Sequence, residues 1–186
     1  SLPHRLYAVC GTFGLWTSDR LGEEWKKVDL EQVREGEELL FLTQAGTGRG
    51  RVLFALGSNF YLRSYDGKRW QRVEMKVFFD KKANPVRSWY RRLGRPTFFS
   101  GGLTPDVLFL SDVRGLFRTT GATGQAVWNE IVKGANNQTI WSMALGEKGE
   151  LFTASASCGV VVSKDGGRSY SALLPRHYPE ESGSYL

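Results

Sequence analysis

The sequence predicts an all-β protein of about four repeated antiparallel sheets, because one pattern returns four times and no segment shows a convincing helical period. The pattern is a polar, Gly-bearing turn from Ser or Thr to an aromatic residue, at 18–25, 64–70, 119–128 and 163–170. A Leu followed by an aromatic residue precedes each Ser or Thr, with the Leu 12, 11, 11 and 12 residues upstream. An aliphatic residue follows each turn aromatic three positions later. We call these four segments the polar turns.

Short apolar runs between turn residues predict the strands of each repeat. In the last copy they lie at 139–145, 150–155, 159–163 and 169–174, which predicts four antiparallel strands joined by tight hairpins. The second and third copies follow the same plan, whereas the first has three such runs and lacks the opening strand. Residues 31–40 allow one helical turn at most, and the Gly-rich stretch 45–51 is typical of a hairpin loop.

Repeats of about 40–50 residues with four strands each are typical of β-propeller blades. A single sheet cannot bury both of its faces, whereas blades stacked around an axis cover one another. We therefore expect a β-propeller over residues 1–174, followed by a C-terminal tail at 175–186. The expected blades lie at 1–28 (incomplete), 39–73, 97–131 and 139–174, with an insert at 76–95.

The last polar turn, SKDGGRSY at 163–170, fits the pattern S/T-x-D-x-G-x-x-aromatic of the Asp-box, or bacterial neuraminidase repeat. The chain thus resembles the Asp-box β-propellers, which include sialidases, other glycoside hydrolases, sortilin-type receptors and photosystem assembly factors. The resemblance covers nearly the whole chain and implies a fold rather than an activity, because the family's Asp-box is a peripheral hairpin between the third and fourth strands of a blade. The second copy is one residue short, the first has its Asp one position early, and the third lacks the Asp and is two residues longer.

A structural role accounts for the residues of the polar turns. Ser and Asp side chains accept hydrogen bonds from the backbone of a turn, Gly supplies a positive φ, and the aromatic residue packs back to close the hairpin. We therefore expect no metal site at Asp66 or Asp165. The residues predicted to build the turns are Ser18, Asp19, Gly22, Trp25, Ser64, Asp66, Gly67, Trp70, Thr119, Gly124, Trp128, Ser163, Asp165, Gly167 and Tyr170.

The net charge of +6 is concentrated in one segment. Residues 76–95 hold seven cations against Asp80, whereas the other 166 residues balance at 18 basic and 18 acidic. Four large aromatic residues lie among these cations, namely Phe78, Phe79, Trp89 and Tyr90. Such a loop on a rigid scaffold suits an acidic protein surface, a phosphate backbone or anionic lipid headgroups. The alternative is a solvated loop whose aromatic residues pack on the edge of a blade.

An acidic protein surface is the partner we favour, because the sequence contains no nucleic-acid-binding motif. The segment 29–40 carries a net charge of −4, and it either forms a solvated linker or neutralises the basic insert within the molecule. No run approaches the ~18 apolar residues that a membrane helix needs. The predicted contact residues are Lys81, Lys82, Arg87, Trp89, Tyr90, Arg91 and Arg92.

The sequence predicts no catalytic residue, cofactor or metal. Family sialidases carry an F/Y-R-I-P motif in their first blade, and the stretch from Arg95 to Thr97 matches it poorly and in the wrong blade. The spacing of the candidate glycosidase carboxylates selects no pair, and two of them, Asp106 and Asp112, are expected to cap turns around the strand DVLFL at 106–110. These candidates are Asp80, Asp106, Asp112 and Glu130.

The histidines and cysteines also lack a catalytic or metal-binding arrangement. His4 and His177 lie near the two ends of the sequence and are expected at the surface. Cys10 and Cys158 occupy different positions in their blades, so we expect buried free thiols rather than a disulfide.

These observations predict a non-catalytic propeller that acts as an interaction scaffold in a larger assembly. Most closed Asp-box propellers have six or more blades, so we expect these four to form part of a larger propeller. The remaining blades would come from another segment or another chain, and a compact four-bladed ring is the alternative. The functional alternatives are a fragment of a sialidase-like or other glycoside hydrolase, and a glycan- or lipid-binding module.

Overall fold

The computed structural model describes residues 5–58, 60–75, 98–112, 115–124, 127–133, 140–155, 159–167 and 169–174. The described residues form four separate antiparallel sheets, which we call blades 1 to 4. The strands, in chain order, are β1 (Leu6–Val9), β2 (Leu15–Ser18), β3 (Lys26–Lys27), β4 (Leu39–Ala45), β5 (Val52–Gly57), β6 (Phe60–Ser64), β7 (Gln71–Glu74), β8 (Phe98–Gly101), β9 (Leu108–Asp112), β10 (Gly115–Thr120), β11 (Val127–Lys133), β12 (Ile140–Leu145), β13 (Leu151–Ser155), β14 (Gly159–Ser163) and β15 (Ser171–Leu174).

Each blade is a meander in which every strand pairs with the next one along the chain. Blade 1 contains β1-β2-β3, and the other three contain β4-β5-β6-β7, β8-β9-β10-β11 and β12-β13-β14-β15. The all-β prediction is confirmed, and blade 1 has three strands where the other blades have four. Its β1 occupies the place of β5, β9 and β13, so the strand that blade 1 lacks within the described residues is the first one.

The hydrophobic core lies between the blades. One buried cluster joins blades 1 and 2 through Leu15, Leu39 and Trp70, and a second joins blades 2 and 3 through Phe54 and Leu108. A third cluster joins blades 3 and 4. Along a strand the side chains alternate between the two faces, so blades 2 and 3 each contribute to a cluster on both of their sides. Dense apolar runs such as VLFAL at 52–56 are the sequence signature of this arrangement.

The three blade interfaces are built from residues at equivalent positions of the repeats. The earlier blade contributes an aromatic residue from its second strand, or from the equivalent strand β1 in blade 1. The later blade contributes the Leu of its second strand together with the aromatic residue that ends its polar turn. The three sets are Tyr7 with Leu53 and Trp70, Phe54 with Leu108 and Trp128, and Phe109 with Leu151 and Tyr170.

The first strands β4 and β8 approach closely at their carboxyl ends. The Gly101 amide donates to the Thr43 hydroxyl at 3.0 Å, and the Gly46 amide donates to the Gly102 carbonyl at 2.9 Å. A methyl group on Gly101 would overlap the backbone carbonyl of Gln44. Glycine at this position therefore permits the backbone contact between blades 2 and 3.

Three local expectations can be compared with the structure. The linker at 31–38 forms hydrogen-bonded turns and no helix, and residues 45–51 connect β4 to β5 with a short 3₁₀ turn at Gly48–Gly50. The expected burial of Cys10 is wrong, because its side chain is exposed just after β1, where the hairpin turns. Cys158 lies outside the described residues. Within the described part of the chain, no helix has the length and apolar character needed to cross a membrane.

The inter-blade core makes a quantitative prediction. Leu108 is fully buried between blades 2 and 3, so Leu108→Ala should lower the free energy of unfolding by about 2–5 kcal/mol. The matched control is Leu103→Ala on the preceding loop, where the side chain is 39% exposed and the expected change is within about 0.5 kcal/mol. Urea unfolding measures both, and equal losses in the two variants would contradict a core located between the blades.

Candidate interaction site

Two oppositely charged segments are attached to the same end of blade 2. The acidic segment 29–40, which we call the acidic linker, leads into β4, and the segment that contains the basic insert follows β7. Because β4 to β7 are four consecutive antiparallel strands, β7 ends at the same end of the blade at which β4 begins, although the two strands form opposite edges of the sheet. The predicted contact residues 81–92 lie outside the described residues, so the site is defined here by its attachment points and surroundings.

Both attachment points of the segment 76–97 belong to one buried core. Met75 immediately precedes it and Phe99 follows it closely, and these side chains are 4% and 5% exposed. Both pack in the cluster between blades 2 and 3. The core that joins these two blades therefore contains a described residue on each side of the segment.

Arg72 on β7 ties the acidic linker to blade 2. Its guanidinium donates to both carboxylate oxygens of Glu37, at 2.6 and 2.8 Å, and to the Glu74 carboxylate at 2.6 Å. It also donates to the Gln32 carbonyl at 2.8 Å and lies 3.8 Å from the centre of the Phe60 ring. A two-pronged, partly buried pair of this kind is stronger and more specific in geometry than an exposed ion pair.

This ion pair shifts the pKa values of both Glu37 and Arg72. The hydrogen bonds from Arg72 lower the pKa of Glu37 to about 2, with a further contribution from the Arg34 amide, which donates to the same carboxylate at 2.9 Å. The same pair raises the pKa of Arg72. Glu37 is thus fully ionised at neutral pH and engaged by blade 2.

A cleft of about 510 Å³ lies between blade 1 and the acidic linker. Leu30 and Val33 contribute apolar lining, while Lys27, Asp29 and Glu35 add charges of both signs. The cleft therefore offers a mixed surface and no concentrated field of one sign.

The polar turns of blades 2 and 4 share a hydrogen-bonding plan. The Gly67 amide donates to the Ser64 hydroxyl at 2.9 Å, and the amides of Lys68 and Arg69 donate to the Asp66 carboxylate, both at 2.8 Å. These two amides lower the pKa of Asp66, with Arg69 contributing most.

In blade 4 the Gly167 amide donates to the Ser163 hydroxyl at 2.7 Å. The Asp165 carboxylate accepts from the amide and the hydroxyl of Ser169, at 2.9 and 2.6 Å. Gly67 and Gly167 have φ values of 70° and 90°, as these turns require.

The polar turn of blade 1 differs in its Asp. The Ser18 hydroxyl accepts from the amides of Arg20 and Gly22, at 3.3 and 3.0 Å, and Gly22 has a φ of 99°. Asp19 instead pairs with the Arg5 guanidinium at 2.5 Å. The early position of this Asp therefore takes it out of the turn's own hydrogen bonding.

In blade 3 an Asp from outside the turn replaces the missing one. Thr119 is buried at the start of this turn, and Gly124 closes its first bend with a hydrogen bond to Gly121 at 2.9 Å. The Asp106 carboxylate accepts from the Thr123 amide at 3.2 Å and from the Thr123 hydroxyl. Asp106 precedes β9, so this candidate glycosidase carboxylate caps a turn that lies between β10 and β11.

The polar turns also receive side chains from the preceding blade. The buried Tyr61 hydroxyl of blade 2 donates to the Ala122 carbonyl at 3.0 Å, and burial raises the pKa of Tyr61 to about 12. The Tyr7 hydroxyl of blade 1 lies so near Gly67 that a methyl group there would overlap it. No local sequence pattern marks either contact, because the partners are far apart along the chain.

The turn aromatics do not all pack as expected. Trp70 and Trp128 are buried and Tyr170 packs against the third cluster. Trp25 is 41% exposed, so the expectation that it closes its hairpin by packing inward is wrong. The three packed aromatic residues lie against the preceding blade, and within the described residues Trp25 has no such blade beside it.

The remaining predicted residues fall mainly outside the described part of the chain. This holds for His4, His177 and Asp80, and for the side chains of Asp112 and Glu130. Within the described ranges, no group of three or more His, Cys, Asp or Glu residues is arranged to hold a metal ion.

Solved structures with the same architecture are β-propellers. The chain is similar to YCF48 bound to D1 peptide, with a TM-score of 0.57 and 16% identity, over 90% of this chain and 49% of that one. YCF48 from Cyanidioschyzon merolae gives 0.59 and 16%, over 95% and 54% of the two chains. The Niastella koreensis GH74 enzyme gives 0.60 and 18%, over 92% and 28%.

No family model and no curated protein matches the sequence. The chain spans about half the length of the two YCF48 structures and just over a quarter of the GH74 structure. At identities of 16–18% these likenesses concern the fold. They confirm the β-propeller prediction, with four blades that correspond to part of a larger propeller.

The polar turn of blade 2 can be tested with a matched pair of variants. Asp66→Ala removes the acceptor of two backbone amides and should lower the free energy of unfolding by about 1–2 kcal/mol. Asp19→Ala, at the corresponding turn of blade 1, removes an ion pair whose carboxylate is 54% exposed and should change it by less than about 1 kcal/mol. Thermal unfolding compares the two, and a larger loss for Asp19→Ala would contradict the assignment.

The Glu37–Arg72 pair predicts a pH dependence. Because the folded protein lowers the pKa of Glu37 from 4.5 to about 2, the stability that this carboxylate supplies is complete above pH 4.5 and is lost as the pH falls towards 2. Glu37→Gln should be less stable than the wild type at neutral pH and should lose less stability across this window. Denaturant titrations at several pH values measure both, with the exposed linker residue Glu35→Gln as control. Parallel profiles for the wild type and Glu37→Gln would refute the prediction.

Proposed function

We propose that this chain is a non-catalytic segment of a β-propeller that serves as a protein-interaction scaffold, with residues 76–95 as its contact surface for an acidic partner. One observation carries the proposal. The entire net charge of the chain resides in a 20-residue segment with four large aromatic residues, and Met75 before it and Phe99 after it lie in the core between blades 2 and 3.

The composition of the insert supports a protein partner. Aromatic residues and Arg are the side chains most enriched at the centres of protein interfaces, where they bury large areas and bind carboxylates in two-pronged fashion. Trp89, Tyr90, Arg91 and Arg92 follow one another directly in the sequence. A charge of +6 on one segment also attracts an acidic surface over several ångströms before contact.

The surroundings of the attachment points are compatible with this role. Glu37, which lies just before β4, forms an ion pair with Arg72 of blade 2. Of the other linker acids, Asp29, Glu31 and Glu35 are not engaged in this pair, and Glu31 and Glu35 are exposed to solvent.

The hydrogen bonds of Asp66 and Asp165 further support Asp-box character in the repeats, and hence a structural rather than catalytic role for these carboxylates.

A β-propeller of similar fold provides an analogy for the proposed role. YCF48 has been solved with a bound D1 peptide, so a propeller of this architecture is able to hold a protein segment. The analogy concerns the class of ligand and not its sequence or its position.

The proposal is tested by reversing charge in the insert. Binding of an acidic, Tyr-containing synthetic polypeptide (a Glu–Tyr copolymer) is measured by biolayer interferometry at two salt concentrations. Arg91→Glu with Arg92→Glu should weaken binding at least about tenfold and reduce its salt dependence, because two contacting cations become anions. Trp89→Ala with Tyr90→Ala should also weaken binding if the aromatic residues are buried in the contact.

The matched control reverses two adjacent exposed cations outside the insert, Lys68→Glu with Arg69→Glu. Equal effects of the insert and control variants would indicate attraction to net charge alone and would overturn the assignment of the site. Single-stranded DNA and phosphatidylserine vesicles serve as competing ligands. Tighter binding to either than to the acidic polypeptide would replace the protein partner by that class.

A further inference from the structure

The outer faces of blades 1 and 4 each carry one side of the interface that joins neighbouring blades. Each interface between neighbouring blades joins an aromatic residue of the earlier blade to a Leu and a turn aromatic of the later blade. Blade 1 has no earlier blade beside it in the described structure, and blade 4 has no later one.

Blade 1 presents the half that a later blade contributes. Leu6 pairs with Ser18 across β1 and β2, on the face opposite to Tyr7, and it is 40% exposed. Of the equivalent residues, Leu108 and Leu151 are fully buried and Leu53 is partly buried. Trp25, whose equivalents are buried or packed on the preceding blade, is exposed to the same extent as Leu6.

The polar turn of blade 1 extends this exposed face. Leu21 is among the most exposed large apolar side chains of the described residues, and Gly22 lies against the Leu6 side chain. In blades 2 and 3 the equivalent turns are touched by Tyr7 and Tyr61 of the preceding blade. The outer face of blade 1 therefore has the apolar composition of an interface without the blade that would cover it.

Blade 4 presents the complementary half. Phe152 pairs with Ala144 on one side and Val162 on the other, on the face opposite to Leu151. It occupies the position of Tyr7, Phe54 and Phe109 in the earlier blades. Phe54 and Phe109 are buried by the next blade and Tyr7 is partly buried. On the Phe152 face Val162 is buried, Phe152 and Val160 are partly buried, and Ala144 is exposed.

We propose that two copies of this chain associate head to tail, with the Phe152 face of blade 4 in one copy packed on the Leu6–Trp25 face of blade 1 in the other. The contact is equivalent to the blade interfaces within the chain, because it joins an aromatic residue of one blade to a Leu and a turn aromatic of the next. Both halves are present on every copy, so the contact is heterologous and a pair of arcs forms it twice when the ring closes. The inference is independent of the role proposed for residues 76–95.

The direct test is the mass of the 186-residue chain in solution. Sedimentation equilibrium over a range of concentrations should show a reversible dimer of about 42 kDa, twice the 20.9 kDa of one copy. Leu6→Glu and Phe152→Lys should each shift the chain to monomer, because each places a charge in an apolar contact. Tyr65→Glu, which replaces an exposed aromatic residue on the polar turn of blade 2, is the control and should leave the dimer intact.

Mixing the two variants distinguishes head-to-tail from head-to-head association. In an equimolar mixture, a dimer can contain one copy of each variant. One of its two contacts joins the carboxylate introduced at position 6 of one copy to the ammonium group introduced at position 152 of the other. The second contact has the wild-type residues Leu6 and Phe152. The mixture should therefore recover dimer that neither variant forms alone. Dimers that survive Phe152→Lys but not Leu6→Glu would show head-to-head packing and would overturn the proposal.

A wild-type chain that remains at 20.9 kDa up to its solubility limit would also overturn the proposal. That result would assign the exposed faces to further blades of a longer polypeptide. Circular dichroism and cooperative thermal unfolding verify that each variant folds. If Leu6→Glu or Phe152→Lys fails this check, Leu6→Ser or Phe152→Ser replaces it, with the same expected loss of dimer.

Discussion

The structure depends on one constraint, which is that a small sheet with two apolar faces has no interior of its own. Such a sheet gains stability only when both faces are removed from water by neighbours. The alternation along β5 satisfies this constraint, because Ala55 packs with the cluster shared with blade 1 and Phe54 with the cluster shared with blade 3. The stabilising contacts are therefore between repeats, and the hydrogen-bonded ladder within each repeat only presents the side chains.

The polar turns show how hydrogen bonding serves this packing. Their Ser hydroxyls are buried at Ser64 and Ser163, where an unpaired polar group would be costly, and the amide of a turn glycine satisfies each one. A turn whose polar groups are satisfied locally leaves its aromatic side chain available to the neighbouring blade. Blade 3 meets the same requirement with Asp106, which reaches the turn from the loop before β9.

The repeat register was sufficient to predict the class, the strands and the shortened first blade, because strand periodicity and turn residues are local properties. Long-range partners were not predictable in this way. The bonds of Asp106 to Thr123 and of Arg72 to Glu37 join residues 17 and 35 positions apart, and no local pattern marks them. The pattern also made Trp25 equivalent to the other turn aromatics, yet packing needs a preceding blade as well as an aromatic residue. For the insert, the sequence indicates charge and composition, and the structure adds that Met75 before it and Phe99 after it lie in one core.

The close approach of β4 and β8 at Gly101 has a geometric consequence for the whole arc. Blades are wedges, and the angle between two neighbours depends on how near their innermost strands come compared with their outer edges. A side chain at position 101 would push these strands apart by meeting the Gln44 carbonyl, and the wedge between blades 2 and 3 would become narrower. Because narrower wedges need more members to complete a circle, the absence of a single β-carbon helps to set the curvature of the arc, and with it the number of blades that can close.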